Sequence, residues 1–105
     1  ILIIRMPPDL IKTSGGVFVS FPYLDTGLAE RLSASGIKML GTSTPSIDKG
    51  APFPVHLMIL GAGIPVVENL INLQYLPKQF FFAAVPLKIA DADASPVRAW
   101  AITNE

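Results

Sequence analysis

The order of apolar and polar positions predicts short strands at the start of the chain. Ile1 to Ile4 form a continuous, mostly β-branched run, which is typical of a strand buried on both faces at the centre of a sheet. The stretch from Met6 to Gly16 contains two prolines, two glycines, an aspartate and a serine, and this composition favours a loop. Val17 to Val19 is predicted to be a short strand.

A helix is predicted next. Leu24, Leu28 and Leu32 recur four positions apart and therefore fall on one face of a helix. Asp25 or the threonine after it is a suitable N-cap, and Gly36 is placed as the C-terminal stop. The strand that follows completes a strand, helix, strand order, which indicates an α/β sheet.

The second half of the chain repeats this alternation with shorter elements. Proline and glycine residues mark the ends of most of them, and the last two strands are separated by a turn that favours antiparallel pairing. The predicted strands are 37–40, 64–68, 80–87 and 97–102, with a polar loop at 41–54, a short apolar helix at 55–60 and a turn or short helix at 69–76. The fold class is therefore α/β, with a mixed sheet and one or two short helices.

Length and composition indicate a chain that does not stand alone. With 105 residues it forms one domain at most, and half of those residues are apolar while 15% are charged. This is more apolar than a small monomer requires, so we expect contacts with a further copy in a homo-oligomer, a partner chain or a missing segment. The chain also begins at Ile1 rather than Met, inside a predicted strand, so we expect residues upstream of it.

Charge excludes two classes of partner. Eight basic residues balance eight acidic ones and are scattered singly, so there is no basic stripe for nucleic acid or an anionic membrane surface. The longest apolar runs are far shorter than the ~20 residues of a membrane span. Cysteine is absent, which removes thiolate chemistry and leaves the redox compartment open, with the cytoplasm as the default.

His56 and Glu68 are the candidate chemical groups. His56 is the only histidine, and helical spacing puts it on a face with Ile59 and Leu60, which are predicted to point inward. A lone histidine in that position is most often a neutral core residue with one or two hydrogen bonds. Glu68 changes this interpretation, because strand alternation aims its carboxylate in the same direction as apolar side chains.

A carboxylate in such surroundings requires a partner. The loss of hydration is too costly to leave uncompensated, so the carboxylate takes up a proton or pairs with a cation, here a metal ion or Arg98. An imidazole and a carboxylate supply two of the three or four ligands that zinc or a similar ion uses. The remaining ligands are expected from outside this chain, since its other acidic residues form no ligand pattern with His56.

Three segments in order resemble one protein family. GTSTPSID (41–48) is similar to a G-x-D-T-P-S-x-D loop, and HLMILGAGIPVVENL (56–70) is similar to a segment in which a glutamate follows a histidine by twelve positions. AVPLKIADADASPVRAWAI (84–102) resembles the last strands of the same family. The family is that of the cyclases and kynurenine formamidases, which are metal-dependent hydrolases.

The resemblance implies a swivelling β/β/α fold, of which residues 1 to 105 are the C-terminal portion of a single domain. It implies a site with one or two divalent metal ions, zinc or manganese, in which His56 and Glu68 are ligands. The reaction would be hydrolysis of an amide or cyclic amide, such as N-formylkynurenine, by a metal-activated water. The family's other ligands belong to an N-terminal H-x-G-T-H-x-D motif that these residues lack, so this segment alone is expected to be inactive.

One departure from the family and several competing features remain. Ser43 stands where the family commonly has aspartate, which puts the role of that carboxylate in doubt. Asp91 and Asp93 form a carboxylate pair, but their context is typical of a turn. The alternative function is a non-catalytic remnant that binds a ligand or pairs with a partner. For the hydrolase, the sequence leaves the substrate-binding residues unknown.

Overall fold

The computed structural model describes residues 1 to 104. The elements in chain order are β1 (Leu2–Ile4), β2 (Lys12–Ser14), β3 (Val17–Ser20), α1 (Thr26–Ala34), β4 (Leu40–Thr42), α2 (Pro54–Gly61), β5 (Val66–Val67), β6 (Phe81–Pro86) and β7 (Val97–Ile102), with 3-10 turns at Pro8–Leu10 and Leu73–Tyr75. Two units divide the chain, one of Ile1–Ile71 and a second that begins at Asn72.

Three parallel strands form the sheet of the first unit, in the order β1-β4-β5. The register pairs Leu40 with Leu2 on one side and with Val66 on the other. Helix α1 lies in the connection from β1 to β4, and α2 lies in the connection from β4 to β5. This arrangement confirms the α/β class, because parallel neighbours require crossover connections of this kind.

The prediction for the first strand was wrong in its position. The run from Ile1 to Ile4 was expected at a sheet centre, but β1 is an edge strand of its sheet and its residues are only half-buried. A β-branched run reports strand propensity and an apolar environment on at least one side. It does not show whether a strand has one neighbouring strand or two within the described residues.

Helix α1 forms as the sequence predicts. Asp25 is its N-cap, and the carboxylate Oδ1 accepts a hydrogen bond from the Leu28 backbone N–H at 2.8 Å. Gly36, just past the helix end, has a φ of 79°, which glycine adopts without steric cost. Leu24, which precedes the helix, and Leu32 within it are both buried in the core of the unit.

The core of the first unit lies where the two helices meet β4. Its members are apolar side chains with at most 8% of their surface exposed. They are Leu24, Ala29, Leu32, Leu40, Ile47, Val55, Ile59 and Ile64. Ile47 lies within the loop between β4 and α2, and Val55 lies in the first turn of α2, so burial of this core also fixes that loop.

Two segment predictions differ from the structure. The strand expected at 37–40 lies at Leu40–Thr42 instead. Its pairing with both neighbouring strands begins at Leu40, which lies opposite Leu2 of β1 and Val66 of β5. The stretch 6–16, expected to be a loop, contains a 3-10 turn and the strand Lys12–Ser14, which pairs with β3. That strand is polar and exposed, so no apolar alternation marks it.

The second unit contains the antiparallel pair β6 and β7, as predicted from the sequence. The register runs from Phe81 opposite Ile102 to Pro86 opposite Val97. Phe81 is exposed while Phe82 is buried, because successive residues of a strand point to opposite faces. Within residues 1 to 104, no helix combines the length and apolar character needed to cross a membrane.

Gly41 provides a test of how tightly the central strand is packed. A Cβ at this position would lie 2.8 Å from Leu70 Cδ1 and 3.3 Å from Ile3 Cγ1. We expect Gly41→Ala to lower the free energy of unfolding by about 1 to 3 kcal/mol, because the buried neighbours must shift to accept it. Chemical denaturation of the purified variant measures this loss.

Gly61→Ala is the matched control, because a Cβ there meets nothing within 4 Å and the residue ends a helix. It should leave stability unchanged or raise it by up to about 1 kcal/mol. Equal stability of the two alanine variants would contradict the close packing described for β4.

Candidate functional site

The candidate site lies where β4 and β5 end and α2 begins. The loop after β4 supplies Asp48, the first turn of α2 supplies His56, and Glu68 directly follows β5. In parallel α/β sheets, ligands bind at the carboxyl ends of the strands, where loops and helix N-termini gather. The topology thus brings residues that are distant in sequence to one edge of the sheet.

His56 and Glu68 meet at this edge. The His56 Nε2 atom lies 3.0 Å from Glu68 Oε1. Their side chains remain 24% and 28% exposed, so the pair is sheltered but reachable from solvent. The convergence expected from the sequence is therefore present. The ring makes two side-chain hydrogen bonds, as a core histidine also would, but with 24% of its side chain exposed it does not lie in the core.

Glu68 is held by a second contact as well. Its Oε1 atom also accepts a hydrogen bond from the Ile47 backbone N–H at 3.0 Å. The residues after Glu68 are tied to the same loop, because Asn69 N–H donates to the Thr44 carbonyl and Leu70 N–H donates to the Thr42 carbonyl. The alternative partner considered for this carboxylate, Arg98, is an exposed residue of β7 in the second unit.

Asp48 holds His56 from the opposite side. Its Oδ2 atom lies 2.7 Å from the His56 Nδ1 atom and accepts the His56 backbone N–H at 2.8 Å. Its Oδ1 atom accepts the Val55 backbone N–H at 3.1 Å. Only 3% of the Asp48 surface is exposed, so this carboxylate is enclosed by its partners.

Electrostatics favour the ionised form of Asp48. Burial by itself raises the pKa of this carboxyl, but hydrogen bonds from the backbone and side chain of His56 and from the Val55 backbone outweigh that effect. A positive charge on the imidazole of His56, present only when both ring nitrogens are protonated, acts in the same direction, and the net result is a pKa of Asp48 below the ordinary value of 3.8. Asp48 is accordingly an anion at neutral pH.

Sequence reasoning assigned no role to Asp48 or to the Ile47 N–H. Two of the three Asp48 partners are backbone groups seven and eight positions away, the third is the His56 ring, and short motifs do not record such contacts. A signal was nevertheless present: Phe53, which precedes the proline that starts α2, provides no side-chain cap. A helix without its own cap residue requires an acceptor from elsewhere.

Other sequence predictions are resolved by position. Leu60, expected to point inward with His56, is 52% exposed, whereas Ile59 is buried; the face of α2 that meets the core is narrower than the apolar pattern suggested. Ser43 accepts the Met6 backbone N–H at 2.9 Å through its hydroxyl and so joins the ends of β1 and β4. Asp91 and Asp93 are exposed, and Asp91 has a φ of 56°, in accordance with a turn.

The donor set fits part of a metal site. An imidazole nitrogen and a carboxylate oxygen converge, a second carboxylate holds the far side of the ring, and the pair is reachable. Within residues 1 to 104, no group of three or more histidine, cysteine, aspartate or glutamate residues is arranged to hold an ion. The described residues therefore offer two candidate donor groups and not a full coordination shell.

The lowered pKa of Asp48 predicts an acid-dependent loss of stability. A carboxyl with a depressed folded pKa stabilises the fold above its unfolded pKa, and this contribution disappears as pH falls through the folded value, below 3.8. We expect the free energy of unfolding of the wild-type protein to exceed that of Asp48→Asn near neutral pH. The difference in free energy of unfolding between the two proteins should become smaller below pH 3.8, as measured by denaturant titrations at a series of pH values. A difference that does not change with pH would contradict ionisation of Asp48 as its cause.

Comparison with known proteins was made by sequence and by structure. No protein-family model matches the chain. The chain is 35% identical over 82 residues to the kynurenine formamidase of Geobacillus thermodenitrificans, a match of 76% of this chain and 39% of that protein. It is 35% identical over 101 residues to the kynurenine formamidase of Polaromonas naphthalenivorans, covering 90% of this chain and 45% of that protein.

Solved structures give the same result. A potential metal-dependent hydrolase with cyclase activity aligns with a TM-score of 0.66 and 26% identity over 73% of this chain and 39% of the other. A predicted metal-dependent hydrolase from Bacillus stearothermophilus aligns with a TM-score of 0.67 and 28% identity over 76% of this chain and 40% of the other. The chain thus spans less than half the length of these relatives. Over the part that it spans, the chain is a homologue of the kynurenine formamidases and shares the fold of cyclase-like metal-dependent hydrolases.

Proposed function

We propose that this chain contributes to a metal-dependent hydrolase that cleaves an amide or a cyclic amide, of the arylformamidase type. The observation that supports this proposal is the meeting of His56 Nε2 and Glu68 Oε1 at 3.0 Å, at an exposed edge of the sheet. Relatives that share about a third of its residues are named kynurenine formamidases. Both the chemistry of the pair and the family relationship favour the same reaction class.

His56 and Glu68 are proposed as two ligands of a divalent ion, zinc or manganese. Nε2 offers a lone pair and Glu68 offers a carboxylate oxygen, which are donor types that both metals accept. The other ligands come from residues beyond those described, since residues 1 to 104 hold no larger donor cluster. When bound, such an ion supplies Lewis-acid polarisation of a carbonyl and an activated water.

In that reaction, residues of this chain hold the two donor groups, His56 and Glu68, in position. Ile47 N–H and Asp48 fix the two donors from either side, so their geometry is set before an ion arrives. A small amide such as N-formylkynurenine is the proposed substrate. Its binding pocket, the homo-oligomer expected from the apolar excess, and the dependence on a further half of the protein are predictions for the whole protein.

Replacement of either proposed ligand tests the function. We expect His56→Ala and Glu68→Ala in the full-length protein to lose most bound divalent metal. Hydrolysis of an aryl formamide should fall by more than about a hundredfold in kcat/KM, because loss of a ligand exceeds the 10- to 100-fold effect of losing a ligand's partner. Elemental analysis and a formamide hydrolysis assay measure the two effects.

Asp93→Ala is the control, because Asp93 is an exposed carboxylate in a turn of the second unit. It should retain metal and activity. Unchanged metal content in both ligand variants would remove the site assignment. A natural protein no longer than this chain that takes up no metal and turns over no formamide would instead favour the non-catalytic binding module.

A further inference from the structure

Helix α2 begins without a cap of its own. Phe53 occupies the cap position with a φ of 59° and makes no side-chain hydrogen bond to the helix, and Pro54 has no N–H to offer. The backbone N–H groups of Val55 and His56 would then be left to solvent or unpaired. Both donate instead to Asp48, one to each carboxylate oxygen.

The same carboxylate also fixes the imidazole. Asp48 Oδ2 receives the backbone N–H of His56 and faces its Nδ1 atom at 2.7 Å, so one oxygen holds the main chain and the ring of a single residue. An ionised carboxylate accepts hydrogen bonds and donates none, so the contacts of Asp48 with Nδ1 and of Glu68 with Nε2 compete for the single proton of a neutral ring. Asp48 is nearer and more enclosed, at 2.7 Å and 3% exposed against 3.0 Å and 28% for Glu68, which favours the proton on Nδ1. Nε2 then keeps its lone pair for an ion that it shares with Glu68.

Further contacts hold Asp48 and the ring in place. The Asp48 backbone N–H donates to Ser46 Oγ at 3.1 Å. The ring of Phe53 meets the imidazole edge to face, with centroids 5.9 Å apart and an interplanar angle of 87°. The ring therefore has a carboxylate at Nδ1, a phenyl group against it and Glu68 at Nε2, which leaves it little rotational freedom.

We propose that Asp48 is the positioning residue of the site: it caps α2 and, through the same oxygen, sets the tautomer of His56 so that the Nε2 lone pair is directed at the ion shared with Glu68. The identity of that ion rests on the proposed function. The new inference is that Asp48, a residue proposed to bind neither metal nor substrate, orients the ligand His56. Helix formation and ligand orientation are thus two results of one set of hydrogen bonds.

The test uses the full-length protein labelled with 15N-histidine. Long-range proton–nitrogen correlation spectra distinguish the two neutral tautomers, and His56→Gln identifies the signals of His56. In the metal-free wild-type protein at alkaline pH, where histidine rings carry one proton, we expect that proton on Nδ1. In Asp48→Ala the Nε2–H tautomer should appear, and affinity for Zn²⁺ should fall about 10- to 100-fold.

Asp25→Ala is the matched control, since Asp25 also caps a helix with its carboxylate but lies on α1 and contacts Leu28 instead of His56. It should change neither the tautomer nor the Zn²⁺ affinity. A purely structural cap would make the two alanine variants alike in both readouts, and that result would overturn the proposal.

The outcomes separate the two proposals. Should Asp48→Ala fail to fold, the wild-type spectrum decides alone: a proton on Nε2 would overturn the role of Asp48. Zn²⁺ binding that Glu68→Ala weakens but Asp48→Ala leaves intact would overturn the positioning role and keep the function. A full-length wild-type protein that takes up no Zn²⁺ would overturn the proposed function, and with it the purpose given to the orientation.

Discussion

The buried carboxylate of Asp48 is the constraint on which the site depends. An enclosed anion is stable only when its oxygens are fully hydrogen-bonded, and here the start of α2 and the imidazole of His56 supply those bonds. The arrangement works in both directions, because the helix N-terminus favours a negative charge and the charge completes the helix. Removing either partner would leave the other with unsatisfied groups.

The parallel sheet explains why these residues meet. Strands β4 and β5 run in the same direction, so the loop after one and the residue after the other emerge at one edge, and the crossover helix starts beside them. Within residues 40 to 68 the chain makes one complete strand, helix, strand unit. That short stretch contains both proposed ligands, the residue that orients one of them and the N–H that holds the other.

The sequence predicted what local patterns encode. Helix α1 with its Asp25 cap, the β6 and β7 pair, and the meeting of His56 with Glu68 all follow from spacing, capping and turn composition, or from the family resemblance. The edge position of β1 and the displaced start of β4 depend on which strands become neighbours, and no single segment carries that information. Asp48 matched the last position of the family loop but received no role for a related reason, since two of its partners are main-chain groups whose donors are the same in nearly every residue type.

The contact of Ile47 with Glu68 affects how the site responds when the loop between β4 and α2 moves. Ile47 and Asp48 are adjacent, and each is bonded to a different member of the proposed ligand pair. A displacement of this loop would therefore carry the imidazole and the carboxylate with it, and their separation would change less than the position of either. Substitutions in the surrounding surface could then reshape the approach for a different amide while the spacing between the two donor atoms is preserved.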